Sequence, residues 1–441
     1  MARKVSVSEV RKHTTNDDCW IVVDNHVYDM TDFAPTHPGG AQIIYSYAGQ
    51  DASDQYNAVH APSLISKTLS PERQLGQLDK TSISADWKTS NATASSTATA
   101  GKQPPLSSIL NLHDFEAAAK ASFSAQSWAY IDSASNDCIT RDANIDVLRR
   151  IWFRPLVMRD VARVRTLTSL FGSAMAMPCV STAASYPLDE VLAATPEGRR
   201  AWFQLYVDKD RRKTEALLRA VTRSGKVGAV FVTVDLPVIS KREADERAQE
   251  GGRAGLARQT ATFIDPRLSW EDVPWIRRHT DLPIVIKGVQ RWEDAARAMR
   301  CGCDGIAVSN HGGRAADGAQ PAVVTLLELH RYAPEVFARM AVLVDGGFRR
   351  GADVVKAVCL GAAAVGVGRP FLYALGYGEE GVVHAANVLR EEIEVAMRLC
   401  GMTDLMADAS PRYLNTKLVD GYVVDGRDSY LGEPRRITAK I

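Results

Sequence analysis

The run Asp304-Gly305-Ile306-Ala307-Val308-Ser309-Asn310-His311-Gly312-Gly313-Arg314 decides how the chain is read. Gly305 to Ser309 is a short apolar segment of the kind that forms a buried strand, and the two glycines after the histidine let the backbone turn sharply against a ligand. A base and a fixed cation therefore stand three residues apart at the end of a strand. Parallel α/β barrels keep their chemistry at such strand ends. Taken alone, a His-Gly-Gly turn whose imidazole bonds only its neighbours would account for the same residues.

Outward from this run, apolar segments alternate with amphipathic helical patterns. Strands are expected at Met177 to Ser181, Trp202 to Tyr206, Ala229 to Val234, Pro283 to Lys287, Gly305 to Ser309, Ala341 to Asp345 and Ala363 to Gly368, after helices at His113 to Ala125 and Ser127 to Ala134. This alternation predicts parallel strands with crossover helices, in particular a (βα)8 barrel. Only seven strands are found, where a closed barrel needs eight. Polar residues cluster at their ends: Gln204 and Tyr206, Thr233 and Asp235, Lys287, His311 and Arg314. Two glycine-rich turns follow the last two runs, Asp345-Gly346-Gly347-Phe348-Arg349 and Gly366-Val367-Gly368-Arg369, and turns there commonly hold a phosphate.

Residues 1 to 80 read as a separate module. Short β-type runs, Ile21 to Val23 and His26 to Tyr28, flank a turn at Asp24-Asn25, followed by His37-Pro38-Gly39-Gly40. His60 comes 23 residues after His37, behind a helical segment from Asp51 to Val59. Two imidazoles approaching from opposite sides would fill both axial positions of a haem iron, leaving an electron carrier with no open site. Between the modules, residues 81 to 104 are rich in Ser, Thr and Ala and too poor in apolar residues to fold alone. As a flexible tether they would span roughly 25 to 30 Å.

Composition narrows the class. The chain has 441 residues, 46% of them apolar and 24% charged, with a net charge of +1, so no nucleic acid or membrane surface is indicated as partner. Residues 1 to 78 carry three more acidic than basic side chains, which leaves the body mildly basic and gives the two modules a basis for electrostatic docking. Seven cysteines without a C-x-x-C pair indicate neither a disulfide framework nor a zinc site. No apolar run is long enough to span a membrane, and the chain as written is expected to be cytoplasmic. A presequence missing upstream would place it instead in the mitochondrial intermembrane space.

The front module, with His37-Pro38-Gly39-Gly40, the interval to His60, Trp20 and Val27 to Thr31, resembles the cytochrome b5 family, which implies haem b held by His37 and His60. Residues 105 to 441 resemble the FMN-dependent 2-hydroxy acid dehydrogenase and oxidase family, and the order of haem module then barrel is similar to the flavocytochrome b2 type. The resemblance implies an α+β cytochrome b5-like domain followed by an α/β barrel lacking one strand-helix unit. It implies oxidation of an L-2-hydroxy acid, with electrons passing from FMN to haem and on to a carrier such as cytochrome c, in a homotetramer. By resemblance, His311 would be the base and Asp235 would steady its imidazolium. Arg314 and Tyr130 would hold the substrate carboxylate, Tyr206 the hydroxyl, and Arg242 would be a second cation. Lys287 would lie beside the flavin, with Ser181, Gln204 and Thr233 on its ring or ribityl chain. Asp345, Gly346, Gly347, Arg349, Gly368 and Arg369 would surround its phosphate.

The pattern breaks at one place. Met177-Pro178 runs almost directly into Cys179-Val180-Ser181, where family members carry another strand and helix, so roughly thirty residues are expected to be missing. A shortened chain, a barrel that recruits another segment, and a degenerate protein all fit that break, and the first is preferred. Ala134 replaces the usual glycine, and Ala183 stands where a bulkier residue often lines the pocket, which suggests a site roomier than one made for lactate. The competing functions are a haem electron carrier with an impaired barrel and an oxidase that uses oxygen directly.

Overall fold

The computed structural model describes residues 3–37, 41–60, 62–83, 87, 103–166, 168–171, 173–174, 178–249, 255–260 and 262–424. The Pro38-Gly39-Gly40 turn, most of the expected linker and Met177 lie outside them. In the front module, strands β1 (Lys4–Val5), β2 (Thr14–Thr15), β3 (Asp18–Val23), β4 (His26–Asp29), β5 (Gln50–Asp51) and β6 (Gln74–Leu78) form a mixed sheet in the order β1-β6-β4-β3-β2, with β5 beside β3. Asp24 and Asn25 both adopt left-handed φ, 48° and 62°, the geometry that a two-residue hairpin turn requires and these residue types tolerate. Alternation along the sheet separates two apolar clusters. Val22, Val27 and Leu78 pack with Val5, Val7 and Val10 on one face, while Ile21, Tyr28 and Met30 pack with Ile44, Ile65 and Leu69 on the other.

In the large domain, β7 (Trp152–Phe153) pairs with β17 (Leu414–Asn415), and β8 (Ser169–Leu170) forms a hairpin with β9 (Ser173–Ala174). Seven parallel strands follow: β10 (Cys179–Ser181), β11 (Ala201–Leu205), β12 (Val227–Thr233), β13 (Ile284–Val289), β14 (Gly305–Val308), β15 (Ala341–Asp345) and β16 (Ala364–Gly366), each hydrogen-bonded to the next in chain order. All seven expected strands are present, with ends shifted by at most two residues. The sheet is a barrel short of closure, because among the described residues neither β10 nor β16 has a strand partner on its outer edge.

Both faces of the sheet are buried, as parallel strands require. Outward residues such as Phe203, Leu205, Val230, Val232, Ile284, Ile286 and Val344 form the main core with the surrounding helices, among them Ile139–Arg150 and Ala322–Tyr332. Inward residues Trp202, Ala229, Phe231, Val285, Ala307 and Leu343 form a second cluster. Phe171, at the tip of the β8–β9 hairpin, stacks edge-on to Trp202 with ring centres 6.3 Å apart and closes the N-terminal mouth. The C-terminal mouth is left for polar side chains.

One buried polar pair fixes the loop after β14. The Asn144 and Asn310 side chains exchange two hydrogen bonds of 2.9 Å, and Asn144 also accepts from the Ala322 amide at 3.1 Å. Replacing Asn144 with alanine leaves one Asn310 N–H and the Ala322 amide without an acceptor in a buried site, while Asn310 keeps its bonds to Gln320 and Gly313, a cost of about 1–3 kcal/mol per lost partner. Asn144→Ala is therefore expected to lower the urea midpoint of the large domain without altering the haem spectrum. An unchanged midpoint would contradict this account.

Candidate active site and haem pocket

The ends of six adjacent strands bring their polar residues to one rim. Register pairs Ser181 with Gln204, and Thr233 with Lys287, so alternation points all four side chains into the barrel. Ser181 Oγ donates to Gln204 Oε1 at 2.6 Å, and Gln204 Nε2 donates to Thr233 Oγ1 at 2.8 Å. Ser309 continues the ring, accepting from Lys287 Nζ at 3.1 Å and from the His311 amide at 2.9 Å, and donating to Asp345 Oδ1 at 2.6 Å.

Asp235 is the electrostatic centre. Its side chain is fully buried; Oδ1 accepts from His311 Nδ1 at 2.9 Å, and Oδ2 lies 4.0 Å from Lys287 Nζ. Burial alone would raise its pKa, but His311 and Lys287 outweigh it and hold the carboxyl below the ordinary range. Close approach of the carboxylate depends on Gly288, where a Cβ would sit 2.5 Å from that of Asp235.

His311 is pushed the other way. Burial lowers its pKa more than Asp235 raises it, so the ring is neutral at neutral pH. With Nδ1–H given to Asp235, the Nε2 lone pair points into the rim, 3.5 Å from Tyr206 Oη. Burial lifts the Tyr206 hydroxyl to about 12 and keeps it a donor. Lys287 stays charged because Asp345 and Asp235 overcome the penalty of its burial. A neutral base, a hydroxyl donor and a buried ammonium thus share one cavity edge.

Cations complete the rim. Arg242 is 6% exposed, its Nε has no hydrogen-bond partner, and burial followed by the nearby Arg314 lowers its pKa to about 10. It remains a cation, with Tyr130 and Tyr206 in its field. Arg314 donates from Nε to the Ser133 carbonyl at 3.2 Å and from Nη2 to the carbonyls of Tyr130, at 3.2 Å, and Ile131. Arg369 binds the same turn, through Ile131 and Ser133 at 3.2 and 3.0 Å, and the Gly312 carbonyl at 2.9 Å. Burial, then Arg314, lowers it to about 9.

In the structure Arg314 meets the Tyr130 backbone carbonyl, and Arg369 donates to the carbonyls of Ile131, Ser133 and Gly312. Gly347, expected at a phosphate, is also required by packing, since a Cβ there would lie 2.6 Å from the Asn144 backbone. Arg349 is 7% exposed, 3.5 Å from Glu116, with its Nε lacking a hydrogen bond. Gly368 borders open space, with nothing within 4 Å of an added Cβ. Gly288, Ser309 and Asn144 were missed as supports of the site. Only Gly288, immediately after a lysine that ends an apolar run, carried a local signal.

In the front module, the His37 and His60 rings lie with centres 6.1 Å apart. A metal about 2.0 Å from each imidazole nitrogen requires ring centres roughly 6 Å apart, so the pair fits a bis-imidazole iron. Burial, then His37, lowers His60 to about 4, which keeps it unprotonated and able to ligate. The pocket around them is apolar, with Phe33 and Tyr56 packed against the two rings.

The profile of the FMN-dependent dehydrogenase family matches residues 119–180 and 179–416, and that of the cytochrome b5-like haem/steroid binding domain matches residues 6–79. The chain belongs to the FMN-dependent dehydrogenase family, with a cytochrome b5-like domain in front. It is 37% identical to the L-lactate dehydrogenase (cytochrome) of Saccharomyces cerevisiae, over 94% of this chain and 80% of that one. It is 35% identical to human 2-hydroxyacid oxidase 1, over 67% of this chain and 94% of the relative. Among solved structures, the flavin-binding domain of baker's yeast flavocytochrome b2 superposes with a TM-score of 0.67 at 36% identity, covering 79% of this chain and 95% of that one. A mandelate oxidase gives 0.63 at 33%, covering 70% and 98%.

The family's cofactors are FMN and haem, and the residues present fit both. For FMN the fit rests on Lys287 and on buried Arg369, which burial and the like charges of Arg314 and Arg349 disfavour as a cation. It also rests on the Ser181-Gln204-Thr233 chain, which offers alternating donors and acceptors.

Substitution separates the two cofactors. His60→Ala should abolish the haem Soret band while leaving bound flavin unchanged, as read by absorbance before and after acid release. Retention of a bis-imidazole spectrum would refute the assignment.

Proposed function

We propose that the protein oxidises an L-2-hydroxy acid to the 2-oxo acid and delivers the electrons singly through its haem to a carrier of the cytochrome c type. When bound, FMN takes up the two electrons of the oxidation and the haem hands them on one at a time. The observation that carries this reading is the Asp235–His311–Tyr206 line with the unpartnered Arg242 beside it. A substrate carboxylate would neutralise Arg242, with Arg314 the second cation available to it. Tyr206 would donate to the substrate hydroxyl oxygen, and His311 Nε2 would take the proton leaving the substrate as Asp235 stabilises the resulting imidazolium. Lys287 would supply positive charge beside the flavin when it is bound. The yeast relative is named as a lactate dehydrogenase, and a related flavocytochrome b2 variant has been solved with pyruvate bound.

The deciding experiment is an anaerobic visible spectrum before and after adding L-lactate or L-mandelate. Haem reduction by either acid supports the proposal; flavin-free protein with an unresponsive haem would favour a plain electron carrier. Small, exposed Ala183, two residues past Ser181, supports a roomy pocket, so L-mandelate is expected to be turned over at least as well as L-lactate. The acceptor and a homotetrameric assembly rest on family resemblance alone.

Asp235→Asn gives a sharper test. It should slow substrate-driven reduction about 10²–10⁴-fold. The wild-type rate should be flat through neutral pH and fall in acid, as His311 gains its proton below the usual imidazole range. Removing the carboxylate takes away what raises the His311 pKa, so the acid limb of the variant should move lower still. A limb that moves up would reject the role given to His311.

Transfer between modules has its own marker. Lys67, on the helix Pro62–Thr68 just past His60, lies 2.6 Å from Glu190 on the helix Leu188–Ala194 of the barrel. Lys67→Glu should slow haem reduction by roughly tenfold at low ionic strength. The rate of flavin reduction by substrate should not change. Equal rates of haem reduction in the two proteins at low salt would show that this contact does not guide docking.

A further inference from the structure

Arg242 and Arg314 carry like charges, and after its own burial the nearby Arg314 is what most disfavours the charge on Arg242. Asp245, an acid in the same field, is 1% exposed and gives its two oxygens to the Leu256 and Ala257 amides at 3.1 and 3.0 Å. What keeps the two guanidiniums facing one cavity is the backbone that carries them.

The two loops are joined by a pair of serine hydroxyls. Ser240 Oγ, two residues before Arg242, donates to the carbonyl of Arg314 itself at 2.7 Å. Ser135 Oγ lies 2.7 Å from Ser240 Oγ and 2.6 Å from the Ala315 carbonyl. Ser135 can give its one proton to either acceptor while Ser240 keeps Arg314, so the knot holds in both arrangements. Backbone bonds run alongside: the Ser135 amide donates to the Gly313 carbonyl at 2.9 Å, and the Asn136 amide, from a left-handed backbone at φ 42°, to the Lys241 carbonyl at 3.0 Å. Ser135 is 1% exposed, so its hydroxyl depends on these partners. On the other side of Arg242, its carbonyl accepts the Glu246 amide at 2.9 Å and begins the helix Glu243–Arg247. Arg242 is thus pinned in the chain from both directions.

We propose that Ser240, buttressed by Ser135, is a positioning residue for the substrate carboxylate, setting the spacing of Arg242 and Arg314 by tying the loop of one to the backbone of the other. A hydroxyl-to-carbonyl bond is neutral, so it draws the two loops together without neutralising either guanidinium. An acid in the same place would pair with the arginines and compete with the incoming carboxylate. Neither serine is assigned a contact with substrate. The inference rests on the reading of Arg242 and Arg314 as the carboxylate site, and it adds what holds that site open and charged.

The probe is oxalate, a small carboxylate whose binding to the full chain with its cofactors is followed by titration calorimetry and needs no turnover. Ser240→Ala should weaken oxalate binding roughly tenfold, and Ser240→Thr, which keeps the hydroxyl, should restore it. Ser135→Ala leaves the Ser240–Arg314 bond in place and should cost about threefold at most. In an Arg242→Gln background Ser240→Ala should cost nothing further, because the arginine it positions is gone. In turnover, Ser240→Ala should raise KM in step with the loss of oxalate affinity and change kcat by less than about twofold. A merely structural role would instead weaken oxalate equally in both backgrounds and lower the melting temperature and flavin content with it. That result overturns the proposal, as does equal oxalate affinity in the wild type and Ser240→Ala, or a wild-type protein that binds no oxalate. The expected pattern of oxalate affinities in a protein inert toward 2-hydroxy acids would support the positioning role and count against the function. Normal turnover with Ser240→Ala indistinguishable from the wild type would do the reverse.

Discussion

The site depends on a buried carboxylate that would be costly if left alone. Asp235 has no exposed side-chain surface, and a charge removed from water in this way is tolerated only when paired and hydrogen-bonded. Its partners come from the ends of β13 and β14, the next two strands, through Lys287 and His311. The parallel register sets Thr233 beside Lys287, and Lys287 beside Ala307, so a single carboxylate ties three strand ends together. The same contacts orient the base, choose its tautomer and keep the lysine charged. Structure and chemistry therefore share one electrostatic origin, and Gly288 is the steric condition for it.

Around that centre the cations are only partly compensated. Arg314 and Arg369 use backbone carbonyls of residues 130–133, dipoles that hold a guanidinium in place without neutralising it. Arg242 lacks even a full set of such bonds. A rim with this surplus favours anions, which suits both a carboxylate substrate and a flavin phosphate. It selects the class of ligand before any pocket shape selects among its members.

Much of this was legible in the sequence for a physical reason. Parallel strands buried on both faces appear as unbroken apolar runs, so Ala341 to Asp345 was located to the residue and the other six strands within two residues of their ends. The chemistry-bearing residues follow those runs, and barrel geometry explains their convergence. What could not be read was contact across long separations. Nothing near Arg314 or Arg369 foretells that both reach the 130–133 turn, and Asn144 sits in an ordinary polar helix until the fold places Asn310 against it. Gly347 had a glycine's signature, and the close approach of the Asn144 helix backbone that also demands it is not revealed by local sequence.

The open sheet separates two requirements usually met together. Every group argued to bind or move a proton lies on β10 to β16, on the loops after them or on the adjoining turn, so the reactive edge survives without an eighth strand. What the gap removes is enclosure of the sheet's inner face at its open edges, β10 and β16. Enclosure governs how firmly a cofactor is held and how strongly the buried charges act, since water admitted through the side screens Asp235 from its partners. The haem module has its own sheet and apolar clusters, so its axial pair does not depend on whether the barrel is closed. Loss of flavin with retention of haem would therefore follow from incomplete walls alone, with every catalytic side chain still in place.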